Sequence, residues 1–161
     1  MKPRATLFAL LCSAVLVPPA AVAQGSPVQL SLFAPVQIVP EHQSVSALRL
    51  SLIYGKNANM TGFDMGLVTK TTGSLSGVQW GFVGTVDGNS EGWQSNFVSI
   101  TNGSFTGLQT GLYASSGQMH GLQIGLVNSA GTMKGFQLGL LNFISKGGWM
   151  SFFPIINWGG L

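Results

Sequence analysis

The hydrophobic and polar positions of this chain alternate in a motif that returns every fourteen or fifteen residues. Residues 121 to 128 read Gly-Leu-Gln-Ile-Gly-Leu-Val-Asn, and residues 135 to 142 read Gly-Phe-Gln-Leu-Gly-Leu-Leu-Asn. Within each octet, apolar residues take every second place, which is the period of a β-strand with two unlike faces. Two near-identical octets separated by a short turn indicate a tandem repeat architecture.

The same register extends over most of the chain. The units open at Gly62, Gly77, Gly92, Gly107, Gly121 and Gly135. The third place of the successive units is Asp64, Gln79, Gln94, Gln109, Gln123 and Gln137. Glycines four residues apart also suit close-packed membrane helices. A glycine inside a helix costs about 1 kcal/mol relative to alanine, however, and turn residues interrupt every unit, so the pattern favours strands.

A strand-and-turn unit of this length can build two folds. In a β-solenoid, successive strands stack in parallel about 4.8 Å apart and every unit meets the same surroundings. In an up-and-down barrel, neighbouring strands run in opposite directions and their turns differ. Neighbouring units here are alike in order and in turn composition. The sequence therefore predicts an all-β repeat protein, a narrow β-solenoid of 14–15-residue units with N- and C-terminal caps, and a small antiparallel β-barrel is the alternative.

The chain divides into four segments. Residues 1 to 23 combine a basic start at Lys2 and Arg4, an apolar run over residues 5 to 17 and a small-x-small site at 21 to 23, which predicts a cleaved signal peptide. Residues 24 to 45 lack the repeat and are expected to be N-terminal capping strands. Residues 46 to 149 hold the tandem repeats, and residues 150 to 161 are expected to form a degenerate C-terminal capping repeat.

The alternation also suggests which residues face inward. The sequence-based expectation is that Leu, Ile, Phe and Val at the second, fourth and sixth places fill the interior, because their burial stabilises the fold. Stacked amides would bond along the stack as a ladder. The exposed row of glycine and glutamine places is then the expected interaction face. The ladder or interaction residues are Gln79, Gln94, Gln109, Gln123, Gln137, Asn128 and Asn142.

The residues capable of chemistry are sparse. His42 and His120 lie in unlike contexts without partners at metal-ligand or acid–base spacing, and the only cysteine, Cys12, lies in the predicted leader. Neither a nucleophile elbow nor a phosphate-binding loop is present in the sequence. We therefore predict no enzymatic activity, no cofactor and no metal. Removal of Lys2 and Arg4 reduces the seven basic side chains to five against four acidic ones, scattered singly, so nucleic acid is not an expected partner.

The repeat units, the stretch Ala47–Gly55 and the ending Phe153–Asn157 together resemble a group of small exported bacterial proteins known for tandem surface repeats. The resemblance covers roughly residues 25 to 161. It implies location in the periplasm, outer membrane or cell surface of a Gram-negative-type bacterium. It brings no catalytic or binding residues to this chain.

The expected function is that of a non-enzymatic exported envelope or surface repeat protein with a structural or interaction role. Its expected partner is an envelope component, a polysaccharide or a second copy of the chain, and membrane contact stays open. A small outer-membrane β-barrel acting as anchor or pore is the alternative function. A membrane-active protein with glycine-spaced helices ranks below it.

Overall fold

The computed structural model describes residues 25–160, which form one β-sheet of seven strands and no helix. The strands are β1 (Gly25–Phe33), β2 (Val36–Gln37), β3 (Ser44–Asn57), β4 (Met60–Thr71), β5 (Leu75–Val86), β6 (Ser90–Lys146) and β7 (Phe152–Gly159). The predicted leader, residues 1 to 23, lies outside the described residues. The all-β prediction is confirmed, and the glycine-spaced helices are wrong for the described part of the chain.

The strands wind into a β-solenoid, as the repeat predicts. β1, β3, β4, β5 and β6 pair in parallel, each with the next, and the opening glycines lie in register, as Gly62 does with Gly77 and Gly77 with Gly92. β6 continues without interruption through the four units that open at Gly92, Gly107, Gly121 and Gly135. The strand residues between the tenth place of one unit and the next opening glycine are called turns below. Because neighbouring units run in the same direction, the antiparallel barrel alternative is wrong.

The opening glycine of each unit is required by the backbone. At these positions φ lies between 101° at Gly62 and 133° at Gly77, a region that L side chains rarely adopt. A Cβ added at Gly107 would also collide with the carbonyl oxygen of Gly92 in the preceding unit. Close stacking and the turn conformation therefore select the same residue.

The N-terminal end of the solenoid is closed by the segment that follows β1. Val39 is buried there, and its backbone N–H donates to Gln29 Oε1 at 2.7 Å. The Gln29 amide in turn donates to the Val39 carbonyl at 3.2 Å. A salt bridge of 2.8 Å joins Glu41 to Lys56, and the hydrogen bond to Glu41 raises the pKa of Lys56 above its ordinary value. This part of the chain covers the first rung.

The C-terminal end is closed by β7, which runs antiparallel to the last unit. Gly135 pairs with Gly159 and Gln137 with Asn157. The expected degenerate last repeat is therefore a reversed strand rather than a further parallel turn. Pro154, which has no N–H to donate, lies within this closing strand.

The interior differs from the sequence-based expectation. The second, fourth and sixth places face outward, and the third, fifth, eighth and tenth face inward. The interior is narrow around the third and eighth places, where a Cβ added at Gly84 would strike the side chains of Gln79 and Asn96. Large apolar side chains enter it mainly in the column two residues before each opening glycine, as at Met60 and Phe105. Buried apolar residues form two small clusters, one around Val39, Val45, Met60, Leu75 and Val86 and one around Phe105, Met119, Ala130, Met133 and Ile144. The expectation that the alternating Leu, Ile, Phe and Val rows fill the core is wrong.

Candidate interaction face

The third-place glutamines form a continuous hydrogen-bonded ladder inside the solenoid. Each Nε2 donates to the side-chain oxygen of the preceding unit. The distances are 2.6 Å from Gln94 to Gln79, 2.7 Å from Gln109 to Gln94, 2.7 Å from Gln123 to Gln109 and 2.7 Å from Gln137 to Gln123. All five glutamines are fully buried.

Most of these amides also bond across the interior. The second N–H of Gln109 donates to the Ser115 carbonyl at 3.1 Å, and that of Gln137 donates to the Phe143 carbonyl at 3.1 Å. Each such side chain therefore links its own strand to the opposite wall of the coil as well as to the unit before. A buried amide is stable only when its hydrogen bonds are made. The ladder makes them for the amides within it, and Gln137 Oε1, at its C-terminal end, has no partner.

The ladder ends at a buried ion pair. Gln79 Nε2 donates to Asp64 Oδ2 at 2.8 Å. Both carboxylate oxygens of Asp64 accept bonds from Arg49, at 2.7 Å from Nε and 2.6 Å from Nη2, and both side chains are fully buried. Arg49 also donates to the Thr71 hydroxyl at 3.0 Å. Asp64 replaces glutamine where the series needs a final acceptor, and Arg49 neutralises its charge.

Two eighth-place asparagines make a shorter series at the C-terminal end. Asn128 donates to Asn142 Oδ1 at 2.8 Å and to the Leu138 carbonyl at 2.9 Å. Asn142 donates to the Gly139 carbonyl at 2.8 Å. Both asparagines are fully buried.

These seven amide residues therefore do not form an exposed interaction face, and that sequence-based expectation is wrong. The structure brings them together inside the coil, where a partner could reach them only by opening the sheet. Their role is to join the units.

The exposed regular surface is instead apolar. We define the apolar face as the outward side chains at the second, fourth and sixth places, with their equivalents in β1 and β3. The second places are Phe63, Val78, Trp93, Leu108, Leu122 and Phe136. The fourth places are Met65, Trp80, Ser95, Thr110, Ile124 and Leu138. The sixth places are Leu67, Phe82, Phe97, Leu112, Leu126 and Leu140.

The large side chains of this face are substantially exposed. Trp80 is 55% exposed and Phe82 is 49% exposed. The Phe82 and Phe97 rings stack on the outside with centroids 4.7 Å apart. Soluble monomers rarely expose contiguous apolar patches larger than a few hundred Å². The face is therefore the strongest candidate for a functional surface.

Charged side chains lie elsewhere on the described part of the chain. The ones that reach the surface are Glu41, Lys56, Lys70, Asp87, Glu91, Lys134 and Lys146, in the N-terminal cap, at ninth places or in turns. Lys70 and Asp87 form a salt bridge at 3.1 Å. None of the second, fourth and sixth places is charged, and Arg49 and Asp64, on the same strands as these places, point inward. The outer surface is thus amphipathic around the solenoid axis.

An open groove of about 1060 Å³ occupies the N-terminal half of the apolar face. Its floor includes the backbone of Gly66 and Gly81, and fourth- and sixth-place side chains such as Trp80 and Phe82 flank it. Three residues of the cap, Val36, Gln37 and Ile38, also line it. The groove is therefore a continuation of the face, bounded at the end where the cap folds over.

Groups suited to catalysis do not converge in the described part of the chain. His42 lies in the cap and His120 precedes a unit far along the stack. Within residues 25–160 no three side chains of His, Cys, Asp and Glu are grouped as metal ligands would be. No helix in this range is long and apolar enough to cross a membrane. Only the apolar face offers a regular feature on which a function can be proposed.

Comparison with family models gives no match, and comparisons with curated proteins and with solved structures also give no significant match.

Sequence reasoning missed the apolar face because it placed the apolar rows inside. A usable signal is present in the units. The third place is glutamine in five of six units and the fifth is glycine in five of six, whereas the second varies from Val78 to Trp93. Constant size marks positions packed against their own copies, and variable size marks positions facing outward.

Proposed function

We propose that this chain is an exported, non-enzymatic protein of a bacterial envelope or surface, and that it works as a stiff repeat body docking through its apolar face. The observation that carries the proposal is the inverted arrangement of the coil. The glutamines at the third places are buried and bond to one another inside, whereas most large apolar side chains at the second, fourth and sixth places remain exposed on one face. Exposing so many apolar groups to water is unfavourable, so the proposed role is to bury them against a partner.

Export is supported by the leader pattern of residues 1 to 23 and by the resemblance of the repeats to exported surface proteins. A reporter enzyme that is active only outside the cytoplasm, fused behind this chain, tests it. The substitution Leu10→Arg interrupts the apolar run and should abolish reporter activity, whereas Leu10→Ile should preserve it. Equal activity of the Leu10→Arg fusion would contradict the predicted leader.

Docking is tested by weakening the apolar face without touching the interior. We expect the double substitution Phe97→Ser with Leu112→Ser to lower the envelope-retained fraction several-fold after cell fractionation, because it removes two adjacent apolar side chains from the face. Thr106→Ser with Thr132→Ser is a matched control in the turns and should leave retention unchanged. Retention of the Phe97/Leu112 variant at the level of the control would contradict the role of the face.

A further inference from the structure

We propose that the apolar face is the interface of a two-fold symmetric dimer, in which two copies pack face to face with their solenoid axes antiparallel. The inference deepens the proposed function, on whose docking role it rests, by naming a second copy as the partner. The two-fold axis lies in the interface, parallel to the strands and between the rung of Trp80 and the rung of Ser95. Three properties of the apolar face support the dimer: its lack of charge, its size and the pattern of large and small side chains along it.

The charge distribution favours a second copy over a lipid surface. Helices and other elements that lie on membranes carry Lys and Arg beside their apolar face, where anionic headgroups attract them. Here two of the surface lysines, Lys56 and Lys70, are paired with Glu41 and Asp87. The face itself carries no charge, so two copies can meet without burying an unpaired ion.

The extent of the face fits a dimer. From Leu30 in β1 to Leu138 in the last unit it crosses eight parallel rungs, about 34 Å at the strand spacing of about 4.8 Å. Its second to sixth places span roughly 13 Å of strand, and the side chains widen and corrugate that strip. A flat strip of these dimensions covers about 440 Å², about half of the roughly 800 Å² per partner of a standard protein interface, and the projecting side chains and the cap residues that line the groove add to it.

The different sizes of the side chains along the fourth-place column determine how the two copies align. Trp80 projects from the column, and Ser95, its neighbour on the next rung, leaves a hollow. A two-fold axis between these rungs puts each Trp80 over the Ser95 of the other copy. A buried indole N–H requires an acceptor, and the Ser95 hydroxyl provides one.

The second-place column has the same symmetry. Val78 and Trp93 occupy the same two rungs, so the same axis places each Trp93 over the smaller Val78 of the other copy. At these two central rungs large side chains thus oppose small ones in the second- and fourth-place columns, as in a close-packed interface, and in the sixth-place column Phe82 lies opposite Phe97 of the other copy. The axis also falls at the centre of the eight parallel rungs.

The groove gives each copy a place for the other. The rungs that line it, from Leu30 to Trp80, lie opposite the rungs from Ser95 to Leu138 of the second copy. The cap residues Val36 and Ile38 close its outer end, so they limit sliding along the axis. Each groove therefore receives the C-terminal half of the other face.

The test exchanges the large side chain of Trp80 and the small side chain of Ser95. The association state of the purified protein is measured by sedimentation velocity and light scattering. We expect the unaltered protein to be a dimer at micromolar concentration. Trp80→Ser sets serine against serine and leaves a void, and Ser95→Trp sets two indoles against each other. Each single variant should raise the dimer dissociation constant at least tenfold. The double variant Trp80→Ser/Ser95→Trp restores the opposition of large and small and should restore dimerisation.

Thr132→Trp, in a turn outside the apolar face, is the matched control and should remain dimeric. Both exchanged positions point outward, so each variant should fold. Circular dichroism checks this. A monomeric unaltered protein, or a double variant no more dimeric than the two single ones, overturns the proposal. A monomer that floats with phosphatidylethanolamine–phosphatidylglycerol vesicles would overturn it in favour of lipid.

This test separates the dimer from the proposed function. A monomer whose envelope retention still depends on Phe97 and Leu112 leaves docking in place with a different partner. A dimer that is not exported leaves the interface in place and removes the envelope role.

Discussion

At the scale of single residues, the stack depends on two places of the unit, the first and the third, at which glycine and glutamine meet requirements that other residues do not. The opening glycines combine a positive φ with contact against the unit before. The third-place glutamines are fully buried, and all but Gln79 donate at least two hydrogen bonds. Residues of this kind explain why the units repeat so closely.

Replacing an opening glycine separates these two requirements. Gly107→Ala should lower the free energy of unfolding by more than about 1 kcal/mol, because the backbone conformation is unfavourable for alanine and the added Cβ meets the Gly92 carbonyl. Gly147 also has a positive φ, 75°, but nothing lies within 4 Å of an added Cβ. Gly147→Ala therefore measures the conformational cost alone. Urea denaturation showing equal losses in the two variants would contradict a packing requirement at Gly107.

A carboxylate within the ladder should be strongly destabilising. Gln109→Glu removes the donor to Gln94 and to the Ser115 carbonyl and buries a charge without a cation, which costs about 3–5 kcal/mol for broken buried pairs of this kind. We expect a corresponding drop in the urea midpoint at neutral pH. Gln118→Glu changes an exposed glutamine in a turn and is the matched control. If the two variants had the same midpoint, the ladder would contribute no stability.

At the scale of the elements, the junction of β3 and β4 is the place where the ladder ends. The Arg49–Asp64 pair lies fully buried between these strands, and the Asp64 carboxylate accepts from Gln79 as well. The first repeat thus differs from the others for an electrostatic reason.

Removing one partner of this ion pair should lower the free energy of unfolding more than replacing both partners by amides. Arg49→Met leaves Asp64 as a buried unpaired charge and should destabilise the protein by about 3–5 kcal/mol. The double variant Arg49→Gln/Asp64→Gln continues the amide series through β3 and β4 and should recover most of that loss. Thermal and urea unfolding of the two variants check this. A double variant as unstable as Arg49→Met would show that the ion pair has a role that amides cannot fill.

The strands and their parallel order could be predicted from the sequence, because period-two alternation and the likeness of successive units depend on local chemistry. The side of each strand that faces inward could not. The alternation of Leu122, Gln123 and Ile124 fits either orientation, and the preference of apolar groups for the interior points to the wrong one. The deciding fact is the width of the coil at the third and eighth places, where little room is left beside the amide side chains, and this width depends on the whole stack.

The candidate face was missed for the same reason, since it consists of the residues that were assigned to the core. The amide ladder could be predicted as a stacking interaction, although its burial could not. The reversed direction of β7 also lay beyond the sequence, because Phe153–Asn157 fits the repeat pattern equally well in a parallel strand.

At the scale of the whole molecule, the two ends decide whether the stack remains finite. The N-terminal end is covered by the segment that carries Val39, and the C-terminal end is covered by β7. An uncovered last unit would present a row of unpaired N–H and C=O groups, which is a template for pairing with another chain.

Truncation after Lys146 tests the C-terminal cap. The shortened protein should associate end to end into species larger than the full chain forms, because the edge of the last unit is then free. Light scattering over time measures this. Met150→Leu, which keeps β7 and its aromatic contacts and changes one exposed apolar side chain, is the control and should keep the size of the unaltered protein. A truncated protein of unchanged size would contradict the capping role of β7.

The glutamine ladder runs in one direction, with every glutamine donating toward Asp64, and units can therefore be added without changing its pattern. A duplicated fourteen-residue segment inserted between Gly107 and Gly135 would find its donor and its acceptor already in place. The two terminal structures would not need to change. Evolution could therefore lengthen such a protein by single duplications, in increments of about 4.8 Å. Each added unit would also lengthen the apolar face by one rung.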